Sequence, residues 1–295
     1  MALSTSVKLA ILRANPHVLA VFDRCPLNDP NCYVLVKRNN GDHPLNLPAL
    51  VPPKNVIIRE VRPITDLRAP IAQADTTCYN EPVPGGVQIH PLGKNWVGTL
   101  GAACSFHDKD GNRRWGILSN WHVLCGGSAI AGHPIHQPTD LYPPLAHLSD
   151  WEPVSPDLIN RFDAAVANAN IQGLHTVAPT IRLSGRPAPA PVHPTPNLFV
   201  RKTGRTTDLT RAVCTATDAC VKVSYGHFAA DFCEQAIFEA TDTPFSAPGD
   251  SGSLIITETA LHPVALLFAG NDELTIGCPL KPIVDRFNLS FQFPE

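Results

Sequence analysis

The chain has 295 residues, of which 44% are hydrophobic, and its formal net charge is −3. This composition excludes a largely disordered chain and provides no basic face, so we expect no nucleic-acid partner. The 30 prolines are about twice the usual share of an average protein. Prolines this frequent disfavour long helices and favour strands and turns.

The N-terminal part predicts a small α/β module over residues 1–83. Residues 1–14 are predicted to form a short helix. Three apolar runs rich in β-branched residues follow, and Pro, Asn and Gly clusters between them indicate turns; we expect strands at 18–22, 33–36 and 56–58. Residues 63–84 are polar and dotted with proline, which is typical of a linker or a loose strap. Nothing in this part indicates chemistry.

No segment indicates targeting or membrane insertion. The apolar run at 7–12 is interrupted by Lys8, and it is too short for the core of a secretory signal or for a membrane span. We therefore expect a cytoplasmic protein that does not engage membranes.

The nine cysteines are an odd number and include no Cys-x-x-Cys spacing. This pattern disfavours a cysteine zinc site and a full disulfide framework. We expect reduced, buried thiols that act as small apolar residues. Two pairs are candidates for closeness in space, Cys104 with Cys125 and Cys214 with Cys220.

From Gly85 onward, short apolar runs alternate with turns, and this spacing predicts a β-barrel or a β-sandwich. The Asp-Lys-Asp-Gly-Asn segment at 108–112 indicates a hairpin. Five prolines within 186–196 favour an extended, semi-rigid connector. The chain therefore divides into a first β block at 84–186, a linker at 187–196 and a second β block at 197–295, with a short helix predicted at 282–287.

The segment Gly249-Asp250-Ser251-Gly252 is the clearest candidate for chemistry. An apolar run follows it directly and predicts a strand entering the core. A glycine-rich turn lets the backbone bend sharply and direct its N–H groups at a ligand. The N–H groups of Gly249 and Ser251 are then able to point at one position in front of the serine hydroxyl, which is the geometry of an oxyanion hole.

A serine hydroxyl becomes a strong nucleophile when a histidine, oriented by a carboxylate, takes its proton. Among 12 histidines, His122 follows a predicted strand at 114–118 and lies at the rim of the first block. Asp163 opens an apolar run on a neighbouring predicted strand and is the preferred orienting acid. Three other acids between His122 and Ser251 stay open as alternatives: Asp140, Asp150 and Asp157.

The order His122, Asp163, Ser251 differs from that of subtilisin-like enzymes and of α/β-hydrolases. With the Gly-Asp-Ser-Gly turn, it resembles the chymotrypsin-like (trypsin-like) serine proteases over roughly residues 84–290. The segments at 118–124 (LSNWHVL), 200–207 (VRKTGRTT) and 267–270 (LFAG) resemble a bacterial branch of trypsin-like peptidases.

The resemblance implies a mainly β fold of two six-stranded antiparallel barrels, with the small N-terminal α/β module and a short C-terminal helix. It implies that Ser251 is the nucleophile, His122 the general base and Asp163 its orienter, while the Gly249 and Ser251 N–H groups hold the oxyanion. It further implies that a strand at Phe268, Ala269 and Gly270 pairs with the substrate backbone.

The implied activity is that of a serine endopeptidase that cleaves polypeptides through an acyl-enzyme, without a metal or an organic cofactor. Two alternatives remain at this stage. One is a non-catalytic peptide-binding protein on a protease fold, and the other is an esterase or acyltransferase that uses the same three residues.

In the family, the floor of the specificity pocket lies about six positions before the serine, which here is Phe245. Trypsin carries an acid there, so the resemblance predicts an apolar or small residue, not Lys or Arg, on the acyl side of the cut. Asp272 and Glu273 would restore a basic preference if they faced the pocket.

Residues 83–89 loosely resemble a junction whose freed N-terminus pairs with an acid at the position of Asp250 in vertebrate-type members. We expect instead that residues 1–83 form a packed accessory module. This module is predicted to contact the protease body or to recruit a regulatory partner.

Overall fold

The computed structural model describes residues 3–23, 31–38, 45–49, 51, 56–73, 77–79, 82–169 and 177–293. The helices within these ranges are α1 (Thr5–Ala14), α2 (Trp121–Leu124) and α3 (Leu280–Phe287). The strands of the N-terminal part are β1 (Val18–Asp23), β2 (Cys32–Lys37), β3 (Val56–Val61), β4 (Thr65–Asp66), β5 (Ala69–Pro70) and β6 (Val83–Gly85).

Nine strands follow before the linker: β7 (Gln88–Pro91), β8 (Trp96–Thr99), β9 (Ala102–His107), β10 (Arg113–Ser119), β11 (Pro134–His136), β12 (Pro144–Trp151), β13 (Ile159–Asn160), β14 (Ala165–Ala169) and β15 (Val177–Ile181). Six follow after it: β16 (Phe199–Gly204), β17 (Asp208–Ser224), β18 (Ala229–Ala240), β19 (Leu254–Thr257), β20 (Pro263–Gly270) and β21 (Thr275–Pro279).

The predicted helix and three strands of the N-terminal module are confirmed. Helix α1 begins after Ser4, whose hydroxyl accepts the N–H of Val7 and caps the first turn. The helix buries Ile11 and Leu12 against the module's strands. Strand β1 pairs antiparallel with β2 and also with β17 of the second block, so the module's strands extend that block's sheet.

The six strands after the linker pair in the order β16-β17-β18-β21-β20-β19, and β19 pairs again with β16, so the hydrogen bonding closes a ring. The sequence predicts separate strands at 211–215 and 220–225, but the structure has one long strand, β17. The polar residues between the two apolar runs lie within this strand. They are accommodated by register shifts in its pairing with β18 and by a positive φ at Asp218.

The first block forms an eight-stranded sheet in the order β5-β8-β7-β11-β12-β14-β10-β9. Within the described residues this sheet stays open, because the outer edge of β9 bridges to Ser290, near the C-terminus, and β8 takes β5 as its neighbour. The mainly β class is confirmed. Two closed barrels were expected. The hydrogen bonds between the described strands close only one ring, that of the second block.

The cysteines partly contradict the prediction of reduced thiols. Cys220 on β17 and Cys233 on β18 are joined by a disulfide, since these strands are direct neighbours and the two residues face each other. Cys104, Cys125 and Cys214 are buried free thiols, so neither pair considered from the sequence is bonded. Cys25 lies outside the described residues.

The C-terminal helix and the linker between the two blocks complete the fold. The helix predicted at 282–287 is confirmed as α3, and residues 187–196 contain no helix or strand. This linker runs beside the second block, where the Val192 N–H donates to the Pro263 carbonyl. None of the helices described is long and apolar enough to cross a membrane. The cytoplasmic location stays a prediction.

Candidate active site

The structure brings Ser251, His122 and Asp163 into hydrogen-bonding contact in the buried interior. Ser251 Oγ lies 2.8 Å from His122 Nε2, and His122 Nδ1 lies 2.5 Å from Asp163 Oδ2. The carboxylate accepts only if Nδ1 carries the proton, and Nε2 is then free to accept the serine hydroxyl. All three residues are fully buried.

His122 lies where the first block's sheet ends. Strand β10 stops at Ser119, and the single helical turn α2 follows at once, as the strand-to-turn prediction requires. The backbone N–H of His122 donates to Asp163 Oδ1 at 3.2 Å, so the carboxylate holds both the ring and the backbone of this histidine.

Tyr225 is a member of this group that the sequence reasoning missed. Its hydroxyl donates to Asp163 Oδ2 at 2.7 Å. Burial, followed by the nearby Asp163 charge, raises the pKa of Tyr225 well above its ordinary value, so the phenol keeps its proton and remains a donor. No motif marks this tyrosine, which directly follows strand β17 and approaches Asp163 only through the fold.

The other three acids considered as orienters lie elsewhere. Asp150 forms an ion pair with Arg286 at 3.0 Å. Asp140 lies 3.9 Å from the ring of His90, and Asp157 is exposed in a loop. Of the four candidates, Asp163 is the one that contacts His122.

Two backbone N–H groups beside the serine converge on one acceptor. Gly249 N lies 2.5 Å and Ser251 N lies 3.3 Å from the same carbonyl oxygen, that of Leu67. Gly249 has a φ of 105°, a conformation open to glycine, and a Cβ at this position would collide with Thr206. The turn therefore aims its N–H groups as the sequence predicts.

The carbonyl in this position belongs to the chain's own N-terminal part. Strand β4 pairs antiparallel with β20, with Asp66 opposite Ala269 and Thr65 opposite Gly270. The Leu67 N–H lies 3.4 Å from the Phe268 carbonyl. The strand at 268–270, predicted to bind substrate backbone, therefore holds residues 65–67 of this chain.

The expectation of a linker or loose strap at 63–84 is thus wrong for residues 64–71, which are paired on both sides. Their backbone groups find partners on both blocks, β20 on one side and β8 on the other, although their proline-containing sequence has no strand pattern. As a consequence, the segment covers Ser251 and His122.

The side chain of Leu67 lies in an apolar pocket of the second block. Leu67 is 3% exposed and belongs to a buried cluster that includes Phe245 and Phe238. Phe245, the predicted pocket residue, is also buried and packs near the Phe238 ring, with centroids 6.1 Å apart. The residue six positions before the serine is therefore buried in the same apolar cluster as Leu67, and its role in a substrate pocket stays a prediction.

Asp272 and Glu273 are engaged in ion pairs with the N-terminal part, and Asp272 also lines the cavity beside Leu67. Asp272 pairs with Arg62, and Glu273 pairs with Arg38 and Arg59, each at 3.0 Å. These acids therefore connect the loop after β20 to the N-terminal module.

Asp250 has a buried cationic partner within the second block. Lys202 Nζ on β16 lies 3.2 Å from Asp250 Oδ2, and both side chains are fully buried. Thr207 Oγ1 donates to the same carboxylate oxygen at 2.7 Å. Asp250 therefore has a cationic partner within the intact chain, and Val83 is buried in β6.

Comparison with known proteins finds similar solved structures but no similar sequence family. No family model matches the chain, and no curated protein matches it. Alpha-lytic protease homolog N4 is similar with a TM-score of 0.52 and 15% identity, covering 71% of this chain and 99% of that one. Nocardiopsis protease (NAPase) has a TM-score of 0.50 and 16% identity, covering 70% and 97%.

Thermobifida fusca protease A is similar to the same degree, with a TM-score of 0.50 and 15% identity over 70% of this chain and 97% of that one. Identities this low carry information about the fold alone. The chain has the fold of the bacterial chymotrypsin-like serine proteases.

Proposed function

We propose that the chain is a serine endopeptidase in which Ser251, His122 and Asp163 act through an acyl-enzyme. The observation that carries this proposal is the position of Ser251 Oγ. It lies 2.8 Å from a histidine nitrogen, beside a peptide carbonyl that two backbone N–H groups hold. In the two-barrel arrangement of the family, such a site lies between the barrels.

In this mechanism, Ser251 Oγ attacks the carbonyl carbon of the substrate while His122 Nε2 takes the hydroxyl proton. The negative charge that develops on the carbonyl oxygen is stabilised by the N–H groups of Gly249 and Ser251. His122 then gives its proton to the leaving amine. A water molecule, activated by the same histidine, hydrolyses the ester.

Asp163 stabilises the imidazolium that forms during each proton transfer. It is a buried carboxylate with three donors, the backbone N–H and ring Nδ1 of His122 and the hydroxyl of Tyr225. These donors satisfy the hydrogen-bonding capacity of the buried carboxylate and fix its orientation. Tyr225 acts through Asp163 and is therefore a positioning residue.

The proposed substrate is a polypeptide with an apolar residue on the acyl side of the cut. The edge of β20 at Phe268, Ala269 and Gly270 offers backbone groups to an extended chain, and Phe245 belongs to the buried apolar cluster that holds the Leu67 side chain. Asp272 lines the cavity beside Leu67, but it already pairs with Arg62, which weakens its attraction for a Lys or Arg side chain.

The test is hydrolysis of short peptide amides and matched esters that differ only in the residue on the acyl side. The assay uses a Leu67→Lys background, because a charged side chain does not suit the apolar pocket and the covering segment should then release the site. We expect leucyl amides to be cleaved in preference to lysyl amides. Ser251→Ala in this background should lower the rate by about 10³-fold or more.

Turnover that survives Ser251→Ala unchanged would refute the mechanism. Cleavage of esters without amides would indicate an esterase or acyltransferase. Binding of the peptides without turnover of either substrate would indicate a peptide-binding protein.

A further inference from the structure

We propose that Ser251 cleaves the Leu67–Arg68 peptide bond of its own chain, and that residues 1–67 stay docked after the cut as a second chain. This inference rests on the proposed function, and it names one specific substrate of the site. The structure holds residues 64–71 across the site as an extended peptide with this bond at the serine.

The acyl side of the bond has the contacts of a bound substrate. Strand β4 pairs antiparallel with β20 through Thr65 and Asp66. The Ser224 N–H donates to the Ile64 carbonyl at 3.0 Å, which fixes the start of the segment. The leucine side chain is buried in the apolar cluster that includes Phe245. Both the backbone register and the side chain therefore select Leu67 as the acyl residue.

The amine side is held equally well. Ala69 pairs with Val97 on β8, and the Ile71 N–H donates to the Asn95 carbonyl at 2.9 Å. The guanidinium of Arg68 stacks over the Trp96 ring at 4.6 Å. It also forms an ion pair with Asp66 at 2.5 Å. The segment is thus fixed on both sides of the bond.

The reacting atoms are adjacent. Leu67 N lies 3.0 Å from Ser251 Oγ, and the Leu67 carbonyl oxygen accepts the N–H groups of Gly249 and Ser251. The carbonyl carbon lies between these two atoms of Leu67 and hence beside the nucleophile. Reacting atoms held in this way make the step intramolecular, which favours attack.

The chemistry balances with water as the second reactant. Ser251 Oγ forms an ester with the Leu67 carbonyl carbon, the bond to Arg68 N breaks, and His122 transfers the serine proton to that nitrogen. Water then hydrolyses the ester, which restores the hydroxyl and gives a Leu67 carboxylate and a free Arg68 amine.

Contacts far from the site keep residues 1–67 in place after the cut. Strand β1 remains hydrogen-bonded to β17, and the α1 side chains pack in a buried cluster with the Cys220–Cys233 disulfide. Arg13 pairs with Asp231 at 3.0 Å. The product is therefore a nicked, associated molecule in which the Leu67 carboxylate remains at the oxyanion hole and slows turnover of other substrates.

The test is the intact mass of the purified full chain under denaturing conditions, followed from the earliest time after expression. Wild type should give two chains, residues 1–67 and 68–295, that co-elute in native size-exclusion chromatography. Ser251→Ala should give one chain. Leu67→Lys should stay uncut, and Leu141→Lys, at an 88% exposed leucine away from the site, should be cut like wild type.

A tagged Ser251→Ala chain mixed with wild type should stay whole, because the cut is intramolecular. Cleavage of this chain in the mixture, a wild type that stays whole, or a cut at another bond would each overturn the proposal.

The peptide assay shows whether a negative result refutes the self-cleavage alone or the proposed endopeptidase function as well. A whole wild-type chain together with a Leu67→Lys variant that cleaves leucyl peptides would refute the self-cleavage alone. A Leu67→Lys variant that cleaves neither amides nor esters would refute the proposed function itself.

Discussion

Removing the Leu67 side chain should open the site to small reagents. Leu67 is 3% exposed among aromatic and aliphatic neighbours, and full burial of a leucine contributes about 1.5–3 kcal/mol. Backbone pairing holds residues 64–71 in the variant as well, so only the side-chain contribution is lost. The carbons that Leu67→Ala removes account for about 2 kcal/mol of the docking free energy. This loss corresponds to about a 30-fold larger open population.

The assay is the rate of covalent labelling by a fluorophosphonate probe, which reacts with an activated serine. The rate should rise about 30-fold in Leu67→Ala if labelling follows the open population. Leu141→Ala is the matched control, since Leu141 is 88% exposed, and it should label like wild type. Equal labelling rates in wild type and Leu67→Ala would show that the Leu67 contact does not limit access to Ser251.

Three further substitutions test buried polar and thiol groups. Tyr225→Phe removes a donor from the buried Asp163 carboxylate and should lower the free energy of unfolding by about 1–3 kcal/mol, with a changed pH profile of hydrolysis. Lys202→Met leaves Asp250 buried without its cation and should cost about 3–5 kcal/mol in chemical denaturation. Burial raises the pKa of the Cys104 thiol, so Cys104→Ala should flatten the loss of stability above pH 9.

The sign of the last effect follows from proton binding. An unfolded thiol ionises above about pH 8.5, whereas the folded Cys104 stays protonated, so the unfolded state binds fewer protons and stability falls as the pH rises. The slope is at most about 1.4 kcal/mol per pH unit for this thiol. An unchanged slope in Cys104→Ala would contradict the assignment.

The chain offers a matched control for Lys202→Met. Lys281→Met breaks an exposed ion pair with Asp285 and should change stability by less than about 0.5 kcal/mol. A similar small change in Lys202→Met would show that its pair with Asp250 is not buried in solution. A wild-type pH profile in Tyr225→Phe would remove its positioning role.

The parts of the site that follow from local backbone could be predicted from the sequence. A Gly-Asp-Ser-Gly turn before an apolar run fixes the direction of two N–H groups. A strand that runs into a turn places His122 at the end of the sheet. These features depend on a few neighbouring residues, and the structure has them where the sequence indicates.

The parts that depend on distant pairing could not be predicted. Tyr225 is 62 positions from Asp163 in the sequence and Lys202 is 48 positions from Asp250, so each pair meets only in the folded chain. Residues 64–71 have no strand periodicity in their sequence. Their extended conformation is stabilised by pairing with β20 and β8. The disulfide likewise depends on the register between β17 and β18.

The Ser251–His122–Asp163 mechanism is best tested by the site and rate of fluorophosphonate modification, mapped by mass spectrometry of the digested Leu67→Ala protein. We expect one adduct, on Ser251, that is absent in Ser251→Ala and forms far more slowly after Asp163→Asn, because the histidine then presents the wrong tautomer to the serine. An adduct on another residue, or an equal rate in Asp163→Asn, would contradict the assignment of Ser251 as a nucleophile activated by His122 and Asp163.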